Sequence, residues 1–156
     1  MNVTAMKNKG FSLAEMMVVV VVMAILATIA VPGFNNYMAQ RRVSGAANQL
    51  FTDFMSARMQ AISQNTNVIV QLTSSTGYTI VRDLNGNGAV DSGETGPAKS
   101  ISSDYHDVTF TSSTPSTDPV FYPNGTLKPG LGTITVSNSS ATKTITISTA
   151  GRIKVS

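Results

Sequence analysis

The chain has 156 residues, the length of one ordinary domain, and it carries a formal net charge of +3. Two of its basic residues, Lys7 and Lys9, precede a long apolar segment, and the rest of the chain has 9 basic and 8 acidic residues. A body this close to neutral gives no overall electrostatic preference for nucleic acid or for an acidic partner. Because cysteine is absent, disulfides, thiol chemistry and a cysteine-based zinc site are excluded.

The apolar segment covers residues 11–31, where only Ser12, Glu15 and Thr28 are polar. As a helix it would be about 32 Å long, close to the roughly 30 Å of a bilayer core. The basic residues before it favour a cytoplasmic N-terminus, so the body is predicted to lie across the membrane. A cleaved secretory signal peptide and a plain N-terminal anchor are the alternatives. The length of the segment and the carboxylate of Glu15 argue against the signal peptide.

The stretch KGFSLAE at residues 9–15 resembles the type IV prepilin cleavage and methylation motif. That resemblance implies cleavage between Gly10 and Phe11 by a prepilin peptidase, N-methylation of Phe11, and a part in assembly for Glu15 and Pro32. The new amino group of Phe11 would pair with the Glu15 carboxylate of a neighbouring copy and set the register between subunits. The alternative is that the Glu15 side chain extends to the membrane surface near the helix end.

A second helical segment follows Pro32. Its apolar residues recur at steps of three and four, which predicts an amphipathic helix continuing to about residue 63. Pro32 and Gly33 predict a kink between the two halves. Arg41 and Arg42 are predicted on the solvated face, and the alternative is that they contact lipid headgroups or a partner. The apolar positions of the predicted stripe are Phe34, Tyr37, Met38, Val43, Ala46, Ala47, Leu50, Phe51, Phe54, Met55 and Ile62.

Beyond residue 65 the pattern changes to alternation with many β-branched residues, separated by Gly, Pro and Asn, which predicts short antiparallel strands. The predicted strands are residues 68–72, 78–82, 107–110, 119–122, 133–136, 143–147 and 152–155. The sequence therefore predicts an α+β fold: a long N-terminal helix packed on antiparallel β-sheet, as in pilins. The predicted divisions are a leader (1–10), a transmembrane and assembly helix (11–31), an amphipathic helix entering the body (32–63) and a β-rich extracytoplasmic domain (64–156).

Two segments of the body, FYPNG at residues 121–125 and GRIK at residues 151–154, together with the order of helix and strands, resemble the GspH/FimT family of minor pilins and pseudopilins. This resemblance implies a minor pseudopilin of a type II secretion system, assembling near the pseudopilus tip to help export folded proteins. The alternative is a FimT/FimU-like minor type IV pilin that primes pilus assembly, with DNA uptake. A membrane-anchored binding domain with no filament role is a third hypothesis.

The same resemblance implies a location and a set of partners. The protein would sit in the bacterial inner membrane as a single-pass protein with a periplasmic C-terminal domain, and then in a pilus or pseudopilus. Its partners would be other pilins or pseudopilins at a hetero-oligomeric tip, the prepilin peptidase, the inner-membrane assembly platform and membrane lipid. DNA is a partner only in the alternative hypothesis.

Residues 83–94 match the twelve-residue loop of an EF-hand, with oxygen-bearing side chains at positions 1, 3, 5, 9 and 12 and glycine at position 6. Such spacing wraps hard oxygen ligands around one Ca²⁺ ion. The flanks are predicted as strand and loop, not helices, and the alternative is a polar β-turn. The candidate calcium ligands are Asp83, Asn85, Asn87, the backbone carbonyl of Ala89, Asp91 and Glu94.

No nucleophile, phosphate-loop or zinc motif accompanies these features, so we expect no enzymatic activity, no catalytic residue and no required cofactor. The one histidine, His106, is predicted to be a surface loop residue. Arg152 and Lys154 lie two residues apart on one predicted strand, so both would project from the same face. They are the candidate DNA contacts of the alternative hypothesis, and otherwise form an exposed strand face.

Overall fold

The computed structural model describes residues 10–113, 118–129 and 132–156. The chain divides into two compact units, the first ending at Tyr37 and the second covering Met38–Ser156. Lys7 and Lys9 lie outside the described residues. One helix, α1, runs over Leu13–Gln64 and contributes to both units. The strands are β1 Asn67–Leu72, β2 Gly77–Asp83, β3 Ala98–Ser100, β4 Thr109–Ser113, β5 Val120–Phe121, β6 Thr133–Ser137, β7 Thr142–Ile147 and β8 Ile153–Val155.

The N-terminal part of α1 is apolar and exposed. Its most apolar 18-residue window has a mean hydropathy of 2.6 and no buried residue, so the helix is long and apolar enough to cross a membrane. The helix begins with a side-chain cap, because the backbone N–H of Glu15 donates to Ser12 Oγ at 3.2 Å. The helix continues past Pro32 as one element, although proline has no backbone N–H to donate at that position. One long helix was predicted from the sequence, and it is confirmed.

The later part of α1 belongs to the second unit and buries one face in the core. Alanine is the commonest residue on this face. The predicted stripe is wrong at both of its ends. Four of its members are exposed, and it omitted the buried Ala39, Ala57 and Ala61. The exposed members are Phe34 at 63%, Tyr37 at 49%, Met38 at 40% and Ile62 at 50%. The residues of α1 that are buried are Ala39, Val43, Ala46, Ala47, Leu50, Phe54, Ala57 and Ala61.

Two antiparallel four-stranded sheets complete the second unit. The first sheet has the order β3-β2-β1-β5 and the second has the order β4-β6-β7-β8. The predicted hairpin of residues 68–72 and 78–82 is confirmed, with Ile69 opposite Val81. β3 was not predicted; it pairs with β2 through residues 77–79. The strand predicted at residues 107–110 begins two residues later, at Thr109.

The core lies between α1 and both sheets. Phe54 from the helix, Tyr78 and Phe121 from the first sheet, and Ile134 and Ile145 from the second are each at most 1% exposed. The pattern of alternation predicted for the last strands is therefore confirmed: their apolar side chains face inward.

On the outer face of the second sheet, every described side chain of β4, β6 and β7 carries a hydroxyl group. The strand registers place these side chains in cross-strand rows, and all of them are half-buried or exposed. They are Thr109, Thr111, Thr133, Thr135, Ser137, Thr142, Thr144 and Thr146. We call this surface the hydroxyl face.

Candidate functional site

The N-terminal motif lies at the start of α1. Gly10 and Phe11 precede the helix, and the Phe11 side chain is 75% exposed. Glu15 is in the first turn and is also exposed. Among the described residues its carboxylate has no hydrogen bond or ion pair, since only its backbone N–H is engaged, by Ser12. The Ser12–Glu15 spacing is that of a capping box, a helix-start signal that the sequence analysis did not use.

The loop of residues 83–94 is organised by its first and last carboxylates. Asp83 is 1% exposed and accepts hydrogen bonds from the backbone N–H groups of Gly86 at 2.6 Å and Gly88 at 2.7 Å. Burial acts to raise the pKa of Asp83, but the hydrogen bonds from Asn67 and from these backbone groups outweigh it and lower the pKa. Glu94 is 8% exposed and accepts from the backbone N–H of Leu84 at 2.7 Å. The loop is thus closed on itself by charge-assisted bonds.

The remaining candidate calcium ligands also bond within the loop. Asn85 and Asn87 both donate from Nδ2 to Asp91 Oδ2, at 2.7 and 2.6 Å. Their side-chain oxygens accept from the backbone N–H groups of Asn87 and Ala89. The part of the chain that the structure describes has no group of three or more acidic, histidine or cysteine side chains arranged to hold a metal. The spacing of an EF-hand loop is present, and its oxygens are turned toward backbone donors; calcium binding stays a prediction.

Arg42 does not lie on a solvated face as predicted: it pairs with Asp107. Its Nε and Nη2 atoms donate to the two carboxylate oxygens at 2.6 and 2.8 Å. The hydrogen bonds from Arg42 lower the pKa of Asp107 to about 2. Asn138, in the turn between β6 and β7, donates to Asp107 Oδ2 at 2.9 Å and to the helix carbonyl of Ala39 at 3.0 Å. The cluster attaches α1 to the second sheet.

Asp53 forms a second polar cluster, between α1 and the first sheet. Its carboxylate accepts from the Tyr78 hydroxyl and from Lys99 Nζ, the latter at 2.5 Å. Burial raises the pKa of Tyr78, and the hydrogen bond to Asp53 raises it further. Tyr78 also packs edge-to-face on Phe110, with ring centroids 6.1 Å apart. A polar residue beside an apolar helical stripe was the only sequence signal for this site.

Arg58, Gly125 and Gly151 meet at a third contact, which we call the glycine junction. Arg58 Nε donates to the carbonyl of Gly125 at 2.9 Å. Both glycines have positive φ, +78° and +77°. The junction joins α1, the turn after β5 and the turn before β8. It therefore brings together the two segments, residues 121–125 and 151–154, on which the family resemblance partly rests.

Arg152 and Lys154 lie at β8 and are both exposed, as is His106 in the segment before β4. The basic pair is at the far edge of the second sheet from β4. No described carboxylate lies within 4 Å of either cation. The structure thus presents these two cations to solvent, on a different element from the loop of residues 83–94.

Solved structures of a minor pilin and of a minor pseudopilin share this fold. The type IV minor pilin FimU of Pseudomonas aeruginosa is 22% identical with a TM-score of 0.57, and the match covers 74% of this chain and 89% of that one. The minor pseudopilin EpsH from the Type 2 Secretion System of Vibrio cholerae is 10% identical with a TM-score of 0.53, covering 74% and 96%. One long N-terminal helix packed on antiparallel sheets, with an apolar first part, defines a pilin-like protein.

Two family models match the sequence. Residues 46–151 match the family described as Type II transport protein GspH, and residues 5–31 match the Prokaryotic N-terminal methylation motif. The chain belongs to the GspH family. The resemblance to the GspH/FimT family and the predicted pilin-like fold are both confirmed, and the apolar helix with its methylation motif fits a membrane-anchored pilin.

Curated relatives match this chain over a short segment. The type IV major fimbrial protein FimA of Dichelobacter nodosus is 53% identical over 37 residues, which is 24% of this chain and 24% of the relative. The fimbrial protein EcpC of Eikenella corrodens is 45% identical over 41 residues, or 26% and 27%. The chain thus spans about a quarter of the length of these relatives.

Proposed function

We propose that this protein is a minor pseudopilin of a type II secretion system, assembling near the pseudopilus tip and helping to export folded proteins. The observation that carries the proposal is the match of residues 46–151, most of the body, to the Type II transport protein GspH family. In this proposal the protein acts by assembly and not by catalysis. It is held in the inner membrane by the first part of α1, with its body in the periplasm, until the assembly platform draws it into the filament.

The second candidate is a minor type IV pilin that primes pilus assembly, with DNA uptake as a further role. The observation that favours it is that FimU is 22–24% identical to this chain while EpsH is 10% identical. Both candidates use the same N-terminal chemistry. They differ in the filament that the protein joins and in whether Arg152 and Lys154 meet phosphates.

The assembly mechanism rests on Glu15. A carboxylate in an apolar helix costs about 2.5–3.5 kcal/mol at the centre of a bilayer and less near an end. Glu15 has no partner among the described residues, while its own helix turn is already capped by Ser12. Cleavage after Gly10 would create an α-amino cation on Phe11. Pairing this cation with the Glu15 carboxylate of an adjacent copy would offset the cost and fix the axial register.

Processing is tested first, by intact mass and N-terminal sequencing of the membrane-extracted protein. We expect a start at N-methylated Phe11. A Gly10→Val variant should remain uncleaved, whereas Gly33→Ala should be cleaved normally, because the space around Gly33 is open. A start at Met1 or Val31 in the wild-type protein would contradict a pilin-like role.

Assembly is tested by complementing a deletion strain and measuring secretion and piliation separately. We expect Glu15→Leu to abolish function. Thr28→Leu is the matched control, since it also removes a polar group from the apolar segment. The Thr28 hydroxyl bonds only within its own helix, to the carbonyl of Ile25 at 2.7 Å. Loss of secretion with normal pili supports the pseudopilin, and loss of pili with normal secretion supports the pilin. Full function of Glu15→Leu would favour a simple membrane-anchored binding domain.

A further inference from the structure

Among the residues that the structure describes, β8 is the outermost strand of the second sheet and pairs with β7 alone. Lys154 is opposite Thr146 and Val155 is opposite Ile145. A strand in this position has a second edge, whose backbone groups need water or another strand as partners.

The hydrogen bonds of β8 identify which backbone groups lie on that second edge. Thr144 and Ser156 exchange two bonds, at 3.0 and 2.8 Å, and the carbonyl of Arg152 accepts from Ser148 at 2.9 Å. In an antiparallel ladder the bonded residues alternate along the strand. The backbone groups of Ile153 and Val155 therefore point away from β7, and no bond from the described chain reaches them. Two N–H and two C=O groups are open along this edge.

The side chains of β8 divide by face. Ile153 and Val155 pack against the core and are half-buried. Arg152 and Lys154 project from the opposite face, where Lys154 lies beside Thr146 at the border of the hydroxyl face. Residues two apart on one strand are separated by about 6.5–7 Å. The open edge is thus bordered by two cations at the spacing of alternate residues in a strand.

We propose that the edge of β8 binds an extended acidic segment of a different protein, which joins the second sheet as a ninth strand of the body. The open groups of Ile153 and Val155 would supply backbone hydrogen bonds, as in other cases of strand addition. Acidic side chains at alternate positions of the added strand would lie beside Arg152 and Lys154, where opposite charges stabilise a cross-strand pair.

The charges also argue against a second copy of this chain as the partner. Two β8 strands paired along their open edges would bring the cations of one copy beside those of the other, and like charges in that position are destabilising. Lysine at a sheet edge commonly prevents pairing between identical chains. The same two cations therefore reject self-pairing and favour an acidic strand. This inference goes beyond filament assembly and does not depend on which filament the protein joins.

The test uses the full chain in a non-ionic detergent and a synthetic peptide of alternating glutamate and valine. Amide hydrogen exchange is measured by NMR for Ile153 and Val155. We expect the peptide to slow exchange at both amides by at least about tenfold, and a matched peptide with lysine in place of glutamate to leave it unchanged. Equal protection of the two amides by both peptides, or no protection by either peptide, would overturn the proposal. If neither peptide protects the amides, the role left for the two cations is to prevent association with other strands.

Two variants separate the contribution of the backbone hydrogen bonds to binding from that of the two cations. Val155→Pro removes the N–H group that points away from β7 and leaves every hydrogen bond to β7 in place, and proline is tolerated at such an edge. We expect this variant to bind the acidic peptide at least about tenfold more weakly. The double variant Arg152→Glu and Lys154→Glu should instead bind the lysine peptide. Lys143→Glu is the matched charge control, because Lys143 lies opposite Val136 on the other face of the sheet.

A DNA oligonucleotide serves as the competing ligand. If the cations serve nucleic acid, DNA will bind wild type and Val155→Pro alike, the acidic peptide will not bind, and the proposal is overturned. If the Val155→Pro variant is unfolded by circular dichroism, the charge-reversed double variant decides: a switch to the lysine peptide supports strand addition, and no switch refutes it.

Discussion

A methyl group added at Gly151 would meet two elements of the glycine junction at once. At this position φ is +77°, and a Cβ atom would lie 2.9 Å from Arg58 Nε and 3.1 Å from the carbonyl carbon of Gly125, closer still to its oxygen. Ordinary carbon contacts are about 3.5–4.0 Å. The left-handed backbone costs an L-residue about 1–2 kcal/mol, and the overlap adds about 1–3 kcal/mol. We expect Gly151→Ala to lower the free energy of unfolding by about 2–5 kcal/mol.

Gly86→Ala is the matched control. Gly86 has the same φ of +77°, and an added Cβ would have no atom within 4 Å. We therefore expect it to cost only the backbone part, about 1–2 kcal/mol. Both variants are measured in the full chain without calcium by urea unfolding, followed by tyrosine fluorescence because Tyr78 lies in the core. The difference between the two midpoints isolates the packing of the junction.

Equal losses of stability in the two variants would refute the packing argument, because they would leave backbone conformation as the whole effect. A larger loss for Gly86→Ala would contradict it more strongly. Since the junction joins α1 to β8, a correct prediction also implies that Gly151→Ala raises hydrogen exchange at the β8 backbone.

Three further predictions concern the polar clusters. The pKa of Asp107 is about 2 when folded and near 3.9 when unfolded, so its ion pair with Arg42 stabilises the body above about pH 4 and is lost as the pH falls toward 2. We expect Asp107→Asn to remove about 1–2 kcal/mol of stability at pH 7 and to make the free energy of unfolding less dependent on pH in acid. An unchanged pH profile would contradict this expectation. Ca²⁺ should raise the melting temperature of wild type but not of Glu94→Gln, which loses a charged ligand oxygen, whereas no shift in wild type would exclude the metal site. Tyr78→Phe should cost about 1–3 kcal/mol, because the partly buried carboxylate of Asp53 loses a donor. Equal unfolding midpoints in urea would show that Lys99 alone satisfies Asp53.

The fold could be predicted where the pattern is local. A long apolar run followed by a three- and four-residue stripe predicts one helix, and alternation of β-branched residues predicts β1, β2, β6 and β7. β3 has the sequence Ala-Lys-Ser, which carries no such alternation; its pairing with β2 makes it a strand. The buried side of α1 was misjudged at Phe34, Tyr37, Met38 and Ile62, because apolar character alone does not show where along the helix the core begins and ends.

The candidate sites follow the same rule. The twelve residues of the loop are contiguous, so their spacing could be recognised without a structure. Arg42 and Asp107 are 65 positions apart, and only the packing of α1 on the second sheet brings them together. The open edge of β8 depends on the ladder register, since a shift of one residue would exchange the bonded and the open backbone groups.

The hydroxyl face bears on how the second sheet meets other molecules. Threonine supplies the branched β-carbon that strands favour, and its hydroxyl can hydrogen-bond to water. The second sheet therefore forms regular strands without exposing an apolar surface on this face. If the proposed strand addition is correct, the hydrated face would offer little for nonspecific association, and binding to the second sheet would take place along the edge of β8.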